Sequence, residues 1–384
     1  MNQMKKLTAI VLILVSVFVF AASPISAQIT QPTLLIEING SPVAFTDALP
    51  YIDENNRTMV PVRFVSEALG AQVTWDGATQ AVTIRREYDV IRLRMNRREI
   101  WVNGDTQQMD TQMVLNRENN RNYVPLRFVS QNLGATIAVE QIVGGMRIGI
   151  QQVDVTTPTG VDGIHIGGSA SEVISALGEP ELIAPTPYTF DWWVYGREAG
   201  DPYNMVGVKE GKVVSFYTNS EEWEYEGIGV GTGREKARKE LGYRQDNQYR
   251  LGPTRYQFSQ RFTPSSSEYD FFVVDDKSLL TLYYDIHENY TVTAARFTEL
   301  SIVPMMGFMN IQWNFFDEFA PDHNLPILTQ REQEAVDRGN EQLLFDLVNH
   351  IRHRMGRSPL RWHEALSHVA YLHSVDMAEN NFFD

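Results

Sequence analysis

The sequence of 384 residues contains no cysteine at all. This absence excludes disulfide bonds, thiolate metal sites, a cysteine nucleophile and a lipid-modified cysteine behind a leader. The folded chain must therefore be held together by its apolar cores. An exported protein without disulfides is more typical of the bacterial exterior than of a eukaryotic secreted module.

Positive charge is also scarce, because 33 lysines and arginines face 48 aspartates and glutamates for a net charge of −15. Between Gln28 and Val153 arginines nearly balance the carboxylates, so the acidic excess lies later in the chain. An acidic surface favours solubility and argues against nucleic acid as a partner. No low-complexity run is present, and the length predicts two or three folded domains.

Residues 1–27 are predicted to form a secretory signal. Lys5 and Lys6 give a positive start, an apolar run from Leu7 to Ala22 follows, and small residues lead to cleavage before Gln28. The apolar run is short for a membrane span, so none is expected after cleavage. An uncleaved anchor is the alternative. The predicted location is secreted or cell-surface associated.

A block of sequence between residues 32 and 152 occurs twice, at an offset of 64 (127 − 63). The first copy runs through Asn55-Asn56-Arg57, Val60-Pro61-Val62-Arg63-Phe64-Val65-Ser66 and Leu69-Gly70-Ala71, and the second through Asn119-Asn120-Arg121, Val124-Pro125-Leu126-Arg127-Phe128-Val129-Ser130 and Leu133-Gly134-Ala135. Alternating apolar segments predict short strands, with one short helix per copy. Such a duplication predicts two units that bury their apolar faces against each other.

The repeated pattern at residues 57–76 and again from Arg121 resembles the copper amine oxidase N-terminal-like domain. In that family the domain is an accessory stalk. Copper is not implied here, because the oxidase chemistry requires histidine ligands and residues 32–152 contain no histidine. We predict no cofactor and no metal site.

A second duplication spans residues 160–300, again at an offset of 64 (241 − 177). Its matching parts are Gly163-Ile164-His165-Ile166-Gly167 with Ala176-Leu177-Gly178, and Gly227-Ile228-Gly229-Val230-Gly231 with Leu241-Gly242. Each half predicts a strand, a glycine turn, a helix and further strands. This stretch resembles the CAP-associated N-terminal domain, which precedes CAP domains in bacterial proteins.

After a predicted linker at 301–340, residues 341–384 predict two helices separated by a turn at Ser358-Pro359. The motifs at 347–352, 359–362 and 373–383 resemble the opening of a bacterial CAP domain, whose fold is an α-β-α sandwich. The resemblance implies that the first histidine of the CAP cavity would follow Asp384, so this segment is predicted to be a truncated start. The predicted fold class is α+β and multidomain, with two duplicated β-rich modules followed by a helical pair that begins an incomplete sandwich.

Few residues qualify as binding groups, and none as a catalytic constellation. Arg92, Arg94, Arg97 and Arg98 are predicted either to contact an anionic wall polymer or to form an ordinary solvated face. His373 lies on an apolar helical stripe, which predicts burial as a core histidine or as a cavity-lining group. The histidines off the stripes are predicted to be exposed and to bind no metal: His350, His353, His363 and His368.

The sequence therefore predicts an exported, non-enzymatic protein of the bacterial cell envelope, acting as a scaffold, adhesion or ligand-presenting unit ahead of a CAP domain. The predicted partner is a cell-wall polymer or a peptidoglycan-associated ligand. The alternative is an extracellular hydrolase or lipid-binding protein whose cavity lies in the missing remainder of the CAP domain.

Overall fold

The computed structural model describes residues 32–152, 160–260, 268–306, 311–314 and 322–383. The predicted signal at 1–27 lies outside the described residues, as does most of the Thr-Pro link at 156–160. The described part combines helices with several separate β-sheets. This arrangement confirms the predicted multidomain α+β fold.

The first module, residues 32–152, is built from short strands and two short helices. Its elements are β1 (Thr33–Ile38), β2 (Ser41–Pro42), β3 (Tyr51–Ile52), β4 (Thr58–Pro61), α1 (Val62–Ala68), β5 (Gln72–Asp76), β6 (Ala81–Arg86), β7 (Asp89–Arg94), β8 (Glu99–Val102), β9 (Asp105–Gln108), β10 (Val114–Asn116), β11 (Arg121–Pro125), α2 (Leu126–Asn132), β12 (Ala135–Ile142) and β13 (Gly145–Gln152).

The two copies of the first repeat interlock. Strand β4 of the first copy pairs antiparallel with β11 of the second, which places Val60 opposite Val124. The first strand of the module, β1, runs parallel to the last, β13. Val65 and Val129, which are equivalent positions of α1 and α2, are fully buried in one shared core. Each copy thus completes the apolar core of the other, as the duplication predicts.

The repeated prolines lie directly before the first residue of each short helix. Pro61 ends β4 and Pro125 ends β11 with extended backbone, and each is the N-cap of the helix that follows. Proline fits there because it has no amide hydrogen to leave unpaired. At the other end, Gly70 and Gly134 adopt positive φ angles of 78° and 69°, which suit glycine after a helix.

The middle module, residues 160–306, centres on a seven-stranded sheet in the order β14-β15-β16-β17-β24-β23-β22. Its elements are α3 (Ala170–Leu177), β14 (Leu182–Pro185), β15 (Asp191–Tyr195), β16 (Asn204–Lys209), β17 (Lys212–Thr218), β18 (Glu224–Tyr225), β19 (Ile228–Gly229), α4 (Arg234–Glu240), β20 (Asp246–Leu251), β21 (Thr254–Ser259), β22 (Tyr269–Val273), β23 (Ser278–Asp285) and β24 (Thr291–Glu299), with 3₁₀ turns at Val161–Gly163 and Val303–Met306. Beyond the module, β25 (Ile311–Asn314) pairs with β21.

The two faces of the central sheet are covered differently. On one face, Val173 of α3 and Ala237 of α4 pack with Phe216 and Phe297 of the sheet. On the opposite face, Val194 and neighbouring side chains pack against α5 (Gln330–Arg354). This helix already begins inside the segment predicted as a linker (301–340), so it extends the packing of the middle module.

Two contacts show how closely α5 approaches the sheet. Val336 and Leu343, two apolar residues of α5, are buried. A Cβ atom added at Gly339 would lie 3.0 Å from the Cβ of Ala184, so only glycine permits this approach without a shift. The last helix, α6 (Glu364–Asn380), follows α5 after a turn and has no buried residue among those described.

The first and middle modules touch through two hairpin turns. Gly252 has a φ of +53°, and a Cβ atom added there would lie 1.7 Å from the carbonyl oxygen of Tyr88. Beside this contact, Arg250 donates to Asp105 at 2.5 Å. Both the backbone conformation and the close approach require glycine at position 252.

A buried charge cluster ties α4 to the sheet. Asp270 is 1% exposed and accepts two hydrogen bonds from Arg238, at 2.7 and 2.8 Å. Arg234 is also buried, with its charged end 3.5 Å from the same carboxylate and stacked 4.8 Å from the ring centroid of Tyr290. One carboxylate thus serves as the counter-charge for two guanidinium groups.

Replacing Asp270 with asparagine is expected to destabilise the middle module by about 3–5 kcal/mol, because two arginines then lose their buried counter-charge. Denaturant unfolding monitored by tryptophan fluorescence measures the change. The matched control is Asp276→Asn, at an exposed position on the following turn, for which a change within about 0.5 kcal/mol is expected. Equal stabilities of the two variants would contradict the buried-cluster interpretation.

Candidate functional site

A cleft of about 910 Å³ lies between the central sheet and the C-terminal half of α5. The sheet forms its floor, α5 forms one wall, and the loops after β15 and β17 form its rim. The side chains that line the cleft include Trp192, Met205, Tyr217, Tyr283 and Arg296 on the floor, Leu347, His350, Ile351, His353 and Arg354 on the wall, and Asp201, Glu221 and Glu222 on the rim.

An ion pair between the loop after β15 and α5 fixes the wall of the cleft. The Nε of Arg197 donates to Asp346 at 2.6 Å, and one terminal nitrogen reaches its second carboxylate oxygen at 3.2 Å. The same nitrogen donates to Gln342 at 3.0 Å. This two-point geometry fixes the orientation of α5 as well as its distance from the sheet.

His350 lies next to this ion pair and is 7% exposed, which corrects the prediction that it faces solvent. Its ring lies 4.8 Å from that of Tyr203, at an angle of 38°. The prediction was wrong because it assumed that α5 would bury its apolar stripe. The helix instead turns Asp346 and His350 toward the middle module, and Asn349 is buried against the backbone of Leu360.

Burial lowers the pKa of His350 below its ordinary value of 6.5. Asp346 on the same helix, Asp201 on the facing loop and a hydrogen bond with the backbone of Gly196 all favour the protonated ring, whereas His353 opposes it. Loss of hydration outweighs the carboxylates, so the docked histidine is held neutral.

Two arginines approach one tyrosine from opposite sides of the cleft. Arg296 lies directly across from Tyr217 in the pairing of β24 with β17, and Arg354 comes from the last turn of α5. Burial raises the pKa of Tyr217, while the positive charges of both arginines act to lower it. Arg354 is also paired with Asp285 at 3.3 Å. The floor and the wall of the cleft therefore each place one arginine near the hydroxyl of Tyr217.

Carboxylates stand at the mouth of the cleft. Asp201, Glu221 and Glu222 are all exposed and belong to its rim. His353 packs against the rim at Gly200, where an added Cβ atom would lie 3.0 Å from the imidazole ring. The cleft thus combines cationic groups on its floor and wall with an acidic opening.

The predicted site residues do not meet in this cleft. His373 is exposed on α6, with its ring 6.2 Å from that of Phe382, so the prediction of a buried histidine was wrong. Its stripe neighbours Leu366 and Val369 are also exposed. The apolar stripe of α6 therefore does not pack against the described part of the chain.

The predicted arginine cluster lies on the first module. Arg92 is half-buried on β7, with its guanidinium 5.9 Å from the ring centroid of Trp101. Arg94, Arg97 and Arg98 are exposed around the turn that leads to β8. Their exposure is compatible with either a solvated face or a polymer contact, so the predicted binding role stays a prediction.

The described residues do not fit a copper centre in the first module. Residues 32–152 contain no histidine. Throughout the described part of the chain, no three histidine, aspartate or glutamate side chains converge as metal ligands would.

Comparison with known families assigns the two modules. Residues 37–144 match the copper amine oxidase N-terminal domain, and residues 166–303 match the CAP-associated N-terminal domain. Each module is thus similar to one of these two domains. These matches confirm the two resemblances drawn from the repeats, and α5 and α6 lie beyond the matched residues.

Three similar proteins come from Bacillus subtilis, Bacillus anthracis and Staphylococcus aureus. An uncharacterised membrane protein of Bacillus subtilis, YlbC, is 27% identical over 220 residues, covering 57% of this chain. The chain spans 60% of the length of that relative. A solved extracellular protein containing an SCP domain, from Bacillus anthracis, is 26% identical with a TM-score of 0.51, covering 61% of this chain and 73% of its own. A cysteine-rich secretory protein of Staphylococcus aureus is a weaker match, with 14% identity and a TM-score of 0.44, covering 57% of this chain and 74% of its own.

The Bacillus anthracis neighbour is described as an extracellular protein that contains an SCP domain. This agrees with the CAP resemblance of the C-terminal helices. Among the residues that the structure describes, no helix has the length and apolar character needed to cross a bilayer.

Sequence reasoning missed the residues that build the cleft. Arg197 and Asp346 are separated by 149 positions, and no repeat or periodicity links them. One signal was available, because Asp346, Asn349 and His350 share one face of a predicted helix at a spacing of three to four. A polar face of this kind is usually assigned to solvent.

Acidification through pH 6.5 is expected to loosen α5 from the middle module. An undocked His350 has its ordinary pKa of 6.5 and takes up a proton that the docked residue resists. The docked arrangement is therefore fully stable above pH 6.5 and loses at most about 1.4 kcal/mol per pH unit below it. Hydrogen exchange of α5 amides at a pH of about 7.5 and about 5, corrected for intrinsic exchange, measures the effect.

The variant His350→Phe keeps a ring against Tyr203 but cannot titrate, so most of the pH dependence should disappear. His368→Gln, on the exposed surface of α6, should retain it. Unchanged protection of α5 between the two pH values in the parent protein would show that His350 does not control docking.

Proposed function

We propose that this chain is an exported, non-enzymatic scaffold of the bacterial cell envelope. The first module acts as a stalk, and the middle module holds the C-terminal helices in a fixed orientation as the start of a CAP domain. Two relatives support this location, since one is described as an extracellular protein with an SCP domain and another as a membrane protein. The proposed location of this chain is the secreted fraction or the cell surface.

The observation that carries the proposal is the Arg197–Asp346 ion pair. It joins a loop of the middle module to a helix far along the chain by two hydrogen bonds, with Asp346 buried. A flexible tether would not require a bidentate, partly desolvated pair at this point. The geometry therefore favours a middle module that presents α5 rigidly.

The charged groups around α5 also support a structural role over a catalytic one. Arg354 pairs with Asp285, whose carboxylate additionally accepts from the backbone amide of His287 at 2.9 Å and so organises the turn after β23. Arg197 is likewise occupied by Asp346. Groups held in ion pairs of this kind orient the backbone, which is what a scaffold requires.

The proposed partner is a polymer of the cell wall or a ligand associated with peptidoglycan, contacted through the first module. Arg94, Arg97 and Arg98 place exposed positive charge there. An anionic polymer would be attracted to such a cluster, with an affinity that falls as salt rises.

A pull-down on purified cell walls tests attachment. The full chain is expected to sediment with walls at low salt, and replacement of Arg94, Arg97 and Arg98 by glutamine should reduce the bound fraction severalfold. Replacement of Arg331, Arg338 and Arg357, three exposed arginines of the C-terminal region, is the charge-matched control. Equal binding of the two triple variants, or a protein that stays entirely in the supernatant, would contradict wall attachment through this cluster.

Presentation of α5 is tested separately by Arg197→Met, which leaves the buried Asp346 without its counter-charge. Hydrogen exchange of α5 should accelerate by at least tenfold, while exchange in the central strands stays unchanged. Arg338→Met, at an exposed position on the same helix, is the control. Protection of α5 that survives Arg197→Met would remove the basis for a rigid presenting module.

A further inference from the structure

The cleft beside α5 has the dimensions and chemistry of a ligand site. Its volume of about 910 Å³ falls in the range usual for small-molecule pockets, roughly 300–1,000 Å³. It is lined by apolar surface from Trp192, Met205 and Ile351, interrupted by a small number of charged groups. Pockets that bind small organic molecules share this composition.

The cationic end of the cleft is suited to a carboxylate. Arg296 lies across from Tyr217 on the neighbouring strand of the sheet, and both Arg296 and Arg354 of α5 line the cleft, so positive charge from two different elements faces the same cavity. Arg354 contacts Asp285 through one terminal nitrogen, and a guanidinium carries five N–H donors in all. Arginine is the side chain best suited to hold a carboxylate by paired hydrogen bonds.

The acidic opening narrows the choice of ligand. Asp201, Glu221 and Glu222 are exposed at the rim, where they repel a ligand that is negative along its whole length and attract an ammonium group. A ligand with a carboxylate at one end and an amine at the other satisfies both regions. An acidic polymer satisfies only the inner one.

We propose that the cleft binds a short peptide, with its C-terminal carboxylate between Arg296 and Arg354 and its amino end toward the acidic rim. Small apolar side chains of the peptide would lie against Trp192, Met205 and Ile351. This site lies in the middle module and α5, apart from the arginine cluster of the first module, so it does not depend on wall attachment.

Isothermal titration of the full chain with trialanine tests the proposal. Saturable binding is expected for trialanine, with roughly tenfold or greater weakening for its C-terminal amide because a charge-assisted contact is lost. N-acetyl-trialanine, which lacks the ammonium group, should bind several times more weakly. Inorganic phosphate, which lacks both the amine and the apolar part, should not compete at equal concentration.

Two variants locate the binding. Arg296→Gln removes one carboxylate donor and should weaken trialanine by roughly tenfold or more, whereas Arg255→Gln, at an exposed position on β21, should leave affinity unchanged. Because Arg296 is half-buried, Ile351→Trp provides a second test that fills the cleft from the exposed side of α5 without changing its charge. Thermal unfolding confirms that each variant is folded.

The outcomes separate the alternatives. No saturable heat with trialanine up to about 10 mM, equal affinity for the acid and the amide, or unchanged affinity in folded Ile351→Trp would each overturn the proposal. Competition by phosphate as strong as by trialanine would show a general anion site and would also overturn it.

Discussion

The position of α5 depends on one interaction, the bidentate ion pair between Arg197 and Asp346. One face of the central sheet is covered by α3 and α4. The other face is shared between α5, which packs over Val194, and the β20–β21 hairpin, which packs over Phe271 and Leu279. The ion pair holds α5 against the face that carries Val194, at one end of the sheet only. The remaining uncovered part of the face becomes the floor of the cleft, so the same contact creates both the presented helix and the cavity beside it.

The two duplications support this arrangement in different ways. In the first module the copies exchange contacts through β4 and β11 and share one core. In the middle module the copies contribute α3 and α4 to the same face of one sheet. Because α3 and α4 both lie on one face of the sheet, the opposite face is available to other elements, among them α5.

Local features of the fold were predictable because they depend on short-range sequence. The short helix predicted in each copy of the first repeat is present as α1 and α2, and the two predicted C-terminal helices, α5 and α6, are separated by the predicted turn at Ser358-Pro359. Alternation and glycine stops report directly on backbone geometry. The cleft could not be predicted in this way, since it depends on contacts such as Arg197–Asp346 that link distant positions.

The orientation of α5 shows why the usual rule for amphipathic helices failed here. Leu344 is 63% exposed, whereas Asp346, two residues later, is 5% exposed. Burial of apolar area alone does not account for a helix that leaves Leu344 and Val348 exposed to solvent. Its docking therefore draws mainly on charge pairing and on the neutral His350, with a smaller apolar contribution from Val336 and Leu343. Because the docked His350 resists protonation, these contacts depend on pH more than a hydrophobic interface does.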